Sequence, residues 1–225
     1  MSQGRKASRA AISVRAKNAV SAEENRRIFR EKGLFVLNLI GSPGCGKTSL
    51  LERTARHFGS RMAVIEGDVK TALDAQRIEA AGVRAVQIET GGACHLDAAM
   101  IAGALSRLDL GGVDVLFIEN VGNLVCPAGL DLGEHAKVAV ISTPEGDEKP
   151  AKYPALFVRA DVVVVNKTDL LPYLEYSLER AAADCGKLNR KARVLPLSCK
   201  SGEGLQAWFD YLEERISSTR AKSGT

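Results

Sequence analysis

The sequence has 225 residues, 45% of them hydrophobic and 26% charged, as in an ordinary soluble globular protein. This length suits one domain with a sizeable core. No apolar stretch approaches about 18 residues, so a transmembrane helix is not expected. Residues 1–20 lack the apolar core of a signal peptide, although they have a weak transit-peptide composition. Five cysteines without a regular framework favour a reducing compartment, and we expect a cytoplasmic protein.

The predicted elements alternate between strands and helices along most of the chain. Strands are predicted over residues 35–40, 62–68, 83–88, 113–118, 137–142, 161–165 and 193–197. Helices are predicted over 8–32, from 47 onward, and over 71–81, 97–108, 172–188 and 205–217. This alternation predicts a three-layer α/β fold of the P-loop NTPase type, in which a mostly parallel sheet has helices on both faces and an N-terminal helix is added. Ligands of such sheets bind beyond the carboxyl ends of the strands.

We divide the chain into a basic helical extension (1–33), a nucleotide-binding domain with a metal site (34–217) and a frayed tail (218–225). A capping-box pattern at Ser21 predicts that the first helix restarts there. Residues 1–32 have nine Lys/Arg and three Asp/Glu, a net charge of +6 in a chain of net charge +4. Such an arm could contact nucleic acid or an acidic partner. It has no nucleic-acid module, so we interpret it as a solvated helix and expect neither nucleic-acid nor membrane binding.

Residues 41–48, GSPGCGKT, fit the phosphate-binding pattern G-x-x-x-x-G-K-S/T between a predicted strand and a predicted helix. The glycines let backbone N–H groups surround phosphate oxygens, and the helix N-terminus adds partial positive charge. We expect Lys47 to reach the β- and γ-phosphates and act in catalysis, and the Thr48 hydroxyl to bind Mg²⁺. The alternative, a plain glycine-rich turn, is disfavoured by both flanking elements. The residues expected to contact the nucleotide here are Gly41, Ser42, Gly44, Cys45, Gly46, Lys47, Thr48 and Ser49.

A second motif, NKTD at residues 166–169, follows a predicted buried strand and matches the N-K-x-D signature of guanine-nucleotide proteins. The Asp169 carboxylate can accept hydrogen bonds from guanine N1–H and N2–H₂ together, a pair that adenine lacks, so the site should reject ATP. Asn166 can contact the base and tie this loop to the phosphate loop, and the Lys167 stem can lie over the base. Ser198-Cys199-Lys200 resembles the S-A-K motif that holds the guanine oxygen, and gives weaker support.

Carboxylates at two strand ends could complete a Mg²⁺ site with Thr48. Asp68 and Glu119 each follow a predicted strand at the ligand edge of the sheet. Mg²⁺ favours few carboxylates together with water and phosphate oxygens, so either residue could act through water. Asp68 is also our choice for the catalytic residue that positions the attacking water. Both could instead be solvated strand ends, and Asp74 ranks below them because it could cap or pair locally.

A second metal site is indicated by three soft or borderline ligands. Cys94 and His95 follow the third predicted strand, and Cys126 lies beyond the fourth. Two thiolates and an imidazole suit nickel or zinc rather than Mg²⁺. Three ligands in one chain leave the site to be completed by water or by a second subunit. On the pattern alone, however, small buried cysteines are the favoured interpretation, and we assign Cys45 and Cys185 to that class.

Taken together, the motifs resemble a known family, the nickel-insertion GTPases of NiFe-hydrogenase maturation, HypB. The resemblance covers residues 24–216 and is carried by the segments FVLNLIGSPGCGKTSLLE, EGDV, TALDAQRI, ETGGACHLDAAM, IENVGNLVCPA, DLGE, EGDEKPAKYP and NKTDLLPY. It implies that Cys94, His95 and Cys126 bind Ni²⁺ or Zn²⁺ near a dimer interface, which reverses the interpretation from the pattern alone. The chain departs from members with an N-terminal cysteine motif or histidine-rich tract, so nickel storage is not expected.

The resemblance implies a GTPase that binds GTP or GDP with Mg²⁺ and delivers nickel to the hydrogenase large-subunit precursor, with a HypA-type zinc-containing accessory protein. It also implies a GTP-dependent homodimer, in which Lys149 and Lys152 of residues 145–152 approach the neighbouring nucleotide. The nearest alternative is a urease nickel-insertion GTPase, which resembles a Cys-Pro-His pattern where this chain has Cys126-Pro127-Ala128. A metal-storage or sensing protein regulated by GTP is another alternative, and an ATP-dependent kinase is contradicted by Asp169.

Overall fold

A computed structural model describes the backbone of residues 2–68 and 82–223 and the side chains of residues 15–67 and 82–222. The described helices are α1 (Ser2–Glu31), α2 (Lys47–Phe58), α3 (Ala98–Leu105), α4 (Lys149–Lys152), α5 (Pro154–Phe157), α6 (Leu178–Leu188) and α7 (Leu205–Ser223). The described strands are β1 (Phe35–Gly41), β2 (Met62–Asp68), β3 (Arg84–Glu89), β4 (Val115–Glu119), β5 (Ala136–Ser142), β6 (Val162–Asn166) and β7 (Arg193–Pro196). The helix predicted over 71–81 lies outside the described residues.

The strands form one parallel sheet in the order β3-β2-β4-β1-β5-β6-β7. Strand β1 lies in the middle, where Leu39 is opposite Glu119 of β4 and Gly41 is opposite Val140 of β5. Because parallel strands all end at one edge of a sheet, the loops that follow β1, β4, β5 and β6 meet there. Every predicted strand is present, with ends that differ by at most two residues. The predicted three-layer α/β fold is confirmed.

Apolar side chains fill both faces of the sheet. On one face Trp208 of α7 is fully buried and donates from Nε1 to Thr54 Oγ1 of α2 at 3.0 Å, so these two helices pack together over the strands. On the other face Phe29 of α1 and Ile101 of α3 belong to one apolar cluster, and Cys185 of α6 belongs to a second. Strand β1 is buried along its whole length, as expected for the central strand of a doubly covered sheet.

The second half of α1 is part of the packed structure. Asn25 is buried and donates from Nδ2 to the carbonyl oxygens of Ala98 (2.9 Å) and Leu132 (3.0 Å). The backbone of Gly133 comes so close to α1 that a Cβ there would lie 2.6 Å from the Ala22 carbonyl oxygen. The helix that the sequence marks as an extension is therefore fixed to α3 and to the loop before β5.

Two helix predictions are wrong in detail. Helix α1 continues through Ser21, since the neighbouring Ala22 is fully buried and its packing favours an uninterrupted helix. The helix predicted from residue 172 begins only at Leu178, because a 3₁₀ turn occupies Thr168–Tyr173 and Ser177 then caps α6, accepting a hydrogen bond from Arg180 N.

The last helix also departs from prediction. Helix α7 continues to Ser223, beyond the predicted end at residue 217, so residues 218–223 are helical rather than a frayed tail. Arg220 on this added turn forms an ion pair with the buried carboxylate of Asp114, which holds the end of the helix against the sheet. None of the described helices combines the length and the apolar character that a bilayer span requires.

Candidate nucleotide and metal site

The phosphate loop joins the end of β1 to the start of α2. Gly44 and Gly46 have φ angles of 75° and 98°, in the left-handed region that favours glycine. A Cβ on Gly46 would stand 2.2 Å from Asn166 Nδ2, so only glycine fits there. Lys47 is buried, and its Nζ donates to the Gly41 carbonyl oxygen at 3.4 Å. The loop therefore has the backbone curl and the buried cation that a phosphate group requires.

A hydroxyl and a carboxylate meet where the predicted Mg²⁺ site should be. Thr48 Oγ1 donates to Glu119 Oε1 at 3.1 Å, because β4 ends beside the phosphate loop. The two oxygens can share one Mg²⁺ that keeps water and phosphate oxygens as its other ligands. The Asp68 side chain and the whole of Asp74 lie outside the described residues. Their roles stay predictions.

A cavity of about 450 Å³ opens beside the phosphate loop, and the residues predicted to recognise the base line it, except Ser198, which is fully buried. Part of the lining lies at the end of β6 and in the loops that follow β6 and β7. It consists of Asn166, Lys167, Asp169, Leu170, Cys199 and Lys200. The other part lies on α2 and the residue before it, and consists of Gly46, Ser49, Glu52, Arg53 and Arg56. The size and position suit a purine base whose phosphates extend into the phosphate loop.

Asn166 is the centre of the base-binding end. It is buried, and its Nδ2 donates to the Cys45 carbonyl oxygen at 3.1 Å. Its Oδ1 accepts from the backbone N–H groups of Lys167 (2.8 Å) and Cys199 (3.1 Å). One amide side chain thus fixes three loops relative to one another. Ser198 Oγ donates to Asp169 Oδ1 at 2.5 Å, which orients the carboxylate predicted to read guanine.

Lys167 is the only described non-glycine residue with a positive φ, 64°. Its Nζ donates to the Gly44 carbonyl oxygen at 2.7 Å, so the side chain spans from the base-recognition loop to the phosphate loop. Backbone strain of this kind persists where the surrounding contacts over-determine it. The strained lysine therefore belongs to the same preformed edge as Asn166.

Arg53 of α2 is a site residue that the motifs do not include. It donates from Nε to the Cys199 carbonyl oxygen at 2.6 Å and from Nη2 to the Lys200 carbonyl oxygen at 2.9 Å. The guanidinium thus holds the base-recognition loop from the outside. A sequence pattern could not predict this contact, since the acceptors are backbone atoms 146 and 147 positions away.

Lys149, which the resemblance assigns to a cross-subunit role, contacts the phosphate loop of its own chain. Its Nζ donates to Ser42 Oγ at 3.3 Å and lies 3.1 Å from Glu145 Oε1. Burial on its own raises the pKa of Glu145, but hydrogen bonds from Ser42, Lys149 and Ser142 hold it below the usual range. Glu145 is therefore ionised at neutral pH and keeps Lys149 close to the phosphate loop.

Cys94, His95 and Cys126 come together at the ligand edge of the sheet. One ligand atom from each lies within 4.8 Å of the others, and Cys94 Sγ is 3.4 Å from His95 Nδ1. In the part of the chain that the structure describes, no other group of three such side chains converges. Both thiols are exposed and the imidazole is half-buried. The thiol of Cys126 raises the pKa of Cys94 by hydrogen bonding, and a bound cation would oppose this because thiolates are the ligands.

The remaining cysteines have a different character. Cys45, Cys185 and Cys199 are buried, and burial raises the pKa of each to about 11. They are protonated at neutral pH and unsuited to metal binding. The predicted structural role of Cys45 and Cys185 agrees with this burial.

Asn120, directly after Glu119, is a second site residue without a motif. It is buried, and its Oδ1 accepts from the backbone N–H groups of Leu96 and Val121, each at 3.1 Å. Its Nδ2 donates to Asn38 Oδ1 of β1 at 3.2 Å. Because Leu96 follows His95, this amide fixes the loop that carries two of the three candidate metal ligands.

Residues 119–126 connect the metal cluster to the nucleotide edge. A Cβ on Gly122 would lie 2.7 Å from Pro43 Cγ, so this segment rests directly on the phosphate loop. Asn123 Oδ1 then accepts from Val125 N (2.7 Å) and Cys126 N (3.3 Å), which forms a turn that presents the Cys126 thiol. One short segment thus contacts both halves of the site.

Comparisons with known proteins agree with this geometry. Residues 35–196 match the family described as CobW/HypB/UreG, nucleotide-binding domain. The chain is 53% identical over 201 residues to hydrogenase maturation factor HypB of Azotobacter vinelandii, which covers 88% of this chain and 66% of that protein, just under two thirds. It is 45% identical over 204 residues to hydrogenase/urease maturation factor HypB of Helicobacter hepaticus. This match covers 89% of this chain and 84% of that protein.

A solved structure gives the same result. The crystal structure of HypB from Helicobacter pylori in complex with nickel is similar to this chain with a TM-score of 0.87 and 39% identity, over 91% of this chain and 97% of that one. The similarity in sequence and in structure thus covers both the phosphate loop and the cysteine–histidine cluster. The chain belongs to the CobW/HypB/UreG family and, within it, to the HypB hydrogenase maturation factors.

Proposed function

We propose that this chain is a GTP-hydrolysing nickel metallochaperone that delivers Ni²⁺ to the precursor of a NiFe-hydrogenase large subunit. The observation that carries the proposal is the convergence of Cys94, His95 and Cys126 within 4.8 Å beside a nucleotide-binding edge. Two sulfur ligands and one nitrogen ligand suit Ni²⁺, and also Zn²⁺, which could occupy the same position. The nickel in the Helicobacter pylori relative supports nickel as the cargo.

GTP and GDP are the nucleotides that we propose, because the Asp169 carboxylate, oriented by Ser198, can accept the donor pair of guanine. The Thr48 hydroxyl and the Glu119 carboxylate, 3.1 Å apart, would hold the Mg²⁺ that accompanies the nucleotide, with Asp68 as a further candidate. When bound, this ion neutralises charge on the β- and γ-phosphate oxygens.

Hydrolysis is the attack of water on the γ-phosphorus of GTP, while the bond to the β–γ bridging oxygen breaks and GDP and inorganic phosphate form. Lys47 and the N–H groups of the phosphate loop hold the phosphate oxygens and stabilise the charge that moves to the bridging oxygen. We assign the orientation of the attacking water to Asp68, since β2 ends at the same edge of the sheet as β4.

The two activities are coupled in this proposal. Residues 119–126 touch Thr48 and Pro43 at one end and carry Cys126 at the other. A change in the phosphate loop between GTP and GDP would therefore move Cys126 relative to Cys94 and His95. Such a coupling requires that Ni²⁺ bind the two nucleotide states with different affinity.

Nickel titration of the wild type and Cys94→Ala, each with GDP and with a non-hydrolysable GTP analogue, tests both halves of the proposal. We expect Cys94→Ala to lose tight Ni²⁺ binding and the wild type to bind Ni²⁺ differently in the two nucleotide states. His57→Ala is the matched control, because His57 is exposed and stacks on Phe209 away from the cluster. Unchanged Ni²⁺ affinity in Cys94→Ala would refute the site, and equal affinity with both nucleotides would refute the coupling.

Nickel delivery to urease is a second candidate function, since the Helicobacter hepaticus relative is named for both enzymes. The two candidates share the whole site and differ only in the recipient. Adding the nickel-free hydrogenase precursor or nickel-free urease to the Ni²⁺-loaded chain, with GTP, would separate them. The true recipient should withdraw nickel faster than the other protein and faster than a chelator at equal concentration.

The partners that we propose are a second copy of this chain and a HypA-type zinc-containing accessory protein, in the cytoplasm. In the dimer, Lys152 of residues 145–152 would approach the neighbouring nucleotide, while Lys149 stays at the phosphate loop of its own chain. Lys152 is exposed and pairs only with Glu148, at 2.8 Å, in the described part of the chain, so it is free to change partner. Lys152→Glu should leave the monomer folded and weaken the GTP-dependent dimer in sedimentation experiments. A dimer of wild-type strength would argue against this segment.

A further inference from the structure

A second cavity, of about 490 Å³, lies between the end of α1 and the end of α7. Its lining consists of Arg30, Glu31, His135, Arg215, Ser218, Thr219 and Lys222. None of these residues belongs to the nucleotide edge or to the cysteine–histidine cluster. The volume falls within the range of small-molecule sites, about 300–1,000 Å³.

The lining is basic, because its cations outnumber its carboxylates. Glu31 pairs with Arg27 at 2.7 Å, and Arg30 pairs with Glu23 at 3.1 Å. The remaining cations of the lining are Arg215 and Lys222, so three cations and one carboxylate give it a net charge of +2. A cavity with this excess of positive charge favours a negatively charged ligand.

Arg215 lines the cavity and is held in place by an aromatic ring. Its guanidinium lies over the Phe35 ring, 5.6 Å from the centroid. A guanidinium matches carboxylate and phosphate oxygens better than other cations do, so an oxyanion in the cavity would meet a cation whose position is already fixed.

His135 adds a neutral donor to the same lining. Its Nδ1 accepts a hydrogen bond from Val36 N at 3.1 Å, so the proton of the neutral ring is on Nε2. Burial lowers the pKa of His135, and the positive charges of Arg215 and Arg26 lower it further. The ring therefore stays neutral at physiological pH.

We propose that this cavity binds a small oxyanion, a phosphate ester or a carboxylate, between Arg215 and Lys222, with Arg30 and His135 as further donors. The anion site is separate from the proposed GTPase and nickel functions. The anion proposal can be wrong while those functions hold, and the reverse is also true. It would couple a small acidic metabolite to the position of α1 against α7, because the cavity is formed by both helices.

The imidazole resonances of the chain test the proposal, since it has three histidines, His57, His95 and His135. The full chain is first saturated with GDP and Mg²⁺, which occupies the phosphate loop, and is then titrated with pyrophosphate and separately with citrate. We expect a saturable shift of the His135 resonances and none of the His57 resonances. A response to one anion alone assigns the source as phosphate or carboxylate. No saturable shift with either would overturn the proposal.

Variants locate the binding. Arg215→Ala and Lys222→Ala should each lower the affinity for the anion by about tenfold, as expected for the loss of one charged donor. Arg193→Ala is the matched control, because Arg193 also lies over an aromatic ring, 5.5 Å from the Tyr211 centroid, and does not line the cavity. Lys222 is exposed, so its removal should leave the fold intact even where Arg215→Ala does not. Wild-type affinity in either folded variant would overturn the arrangement.

Discussion

The nucleotide edge and the cysteine–histidine cluster lie side by side but are built differently. At the nucleotide edge, the side chains of Asn166 and Lys47 are buried, and every loop is tied to another by hydrogen bonds. In the cluster, Cys94 and Cys126 are exposed, and the buried Asn120 amide supports the loop of Cys94 from behind. The first site is preorganised for a ligand that must be held in one geometry. The second is open, as a site must be if its ion enters and leaves.

Gly46→Ala should have the largest effect, because it changes the preorganised nucleotide edge. The new Cβ would meet Asn166 Nδ2 at 2.2 Å and would force alanine to adopt a φ of 98°. We expect GDP and GTP binding to be lost, with a loss of stability of about 2 kcal/mol from the backbone conformation alone. Gly112→Ala is the control, since its φ is 75° but its Cβ would meet no atom within 4 Å. Calorimetric GDP binding to Gly46→Ala at wild-type strength would contradict the preorganised description.

Cys126→Ala changes the open cysteine–histidine cluster and should affect nickel binding without affecting the stability of the fold. Because the thiol is exposed, we expect an unchanged melting temperature, unchanged GDP affinity and a loss of nickel affinity of about 100-fold or more, as one of three ligands is removed. Cys185→Ala is the opposite control: that residue is 2% exposed, so its variant should lose stability and keep nickel affinity. If Cys126→Ala melts well below the wild type, the thiol has a structural role and the contrast between the two sites fails.

Asn120→Ala tests whether the open half still depends on a buried support. The change leaves Leu96 N, Val121 N and Asn38 Oδ1 without their partner, which should cost about 1–3 kcal/mol of folding free energy. The loop that carries Cys94 and His95 would loosen, and we expect nickel affinity to fall by about tenfold.

Asn189→Ala is the matched control for this variant. Its Nδ2 donates to the Ala160 carbonyl oxygen at 3.0 Å, and its Oδ1 accepts from Lys191 N at 3.0 Å, so it also loses amide hydrogen bonds but lies away from the metal loop. It should lose stability and keep its nickel affinity. An equal loss of nickel affinity in both variants would mean that instability alone, and not positioning by Asn120, explains the effect.

The contrast between the two halves also explains what the sequence could predict. The strands were predictable because each is a short apolar run followed by polar loop residues, and a parallel sheet covered on both faces requires that pattern. The phosphate loop and the N-K-x-D motif were predictable because phosphate and guanine demand fixed residue types at fixed spacing. Cys94 and His95 are adjacent and Cys126 follows about thirty positions later, a pattern with no such spacing rule. Their residue types made them candidate metal ligands, and the family resemblance decided for that interpretation.

Residues that act through backbone atoms and belong to no motif could not be predicted. Asn120 and Arg53 bind backbone N–H and carbonyl groups, which every residue possesses, so their partners leave no trace in the sequence. The predictions for where helices α1 and α7 end or restart were wrong for a similar reason. The burial of Ala22 and the ion pair of Arg220 with Asp114 extend α1 and α7, and both are tertiary contacts that override local preference.

Arg53→Ala should have the smallest effect and refines the description of the preorganised half. Arg53 supports the base-recognition loop from outside through two carbonyl oxygens, and does so while half-exposed, so we expect a loss of about 1 kcal/mol, or about fivefold in GDP affinity. Arg84→Ala is the matched control, because Arg84 also donates to two carbonyl oxygens, those of Gly111 and Asp109, but on β3. Arg84→Ala should bind GDP at wild-type strength. If Arg53→Ala does so too, Asn166 alone sets the loop, and the base-binding end is more rigid than its outer contacts indicate.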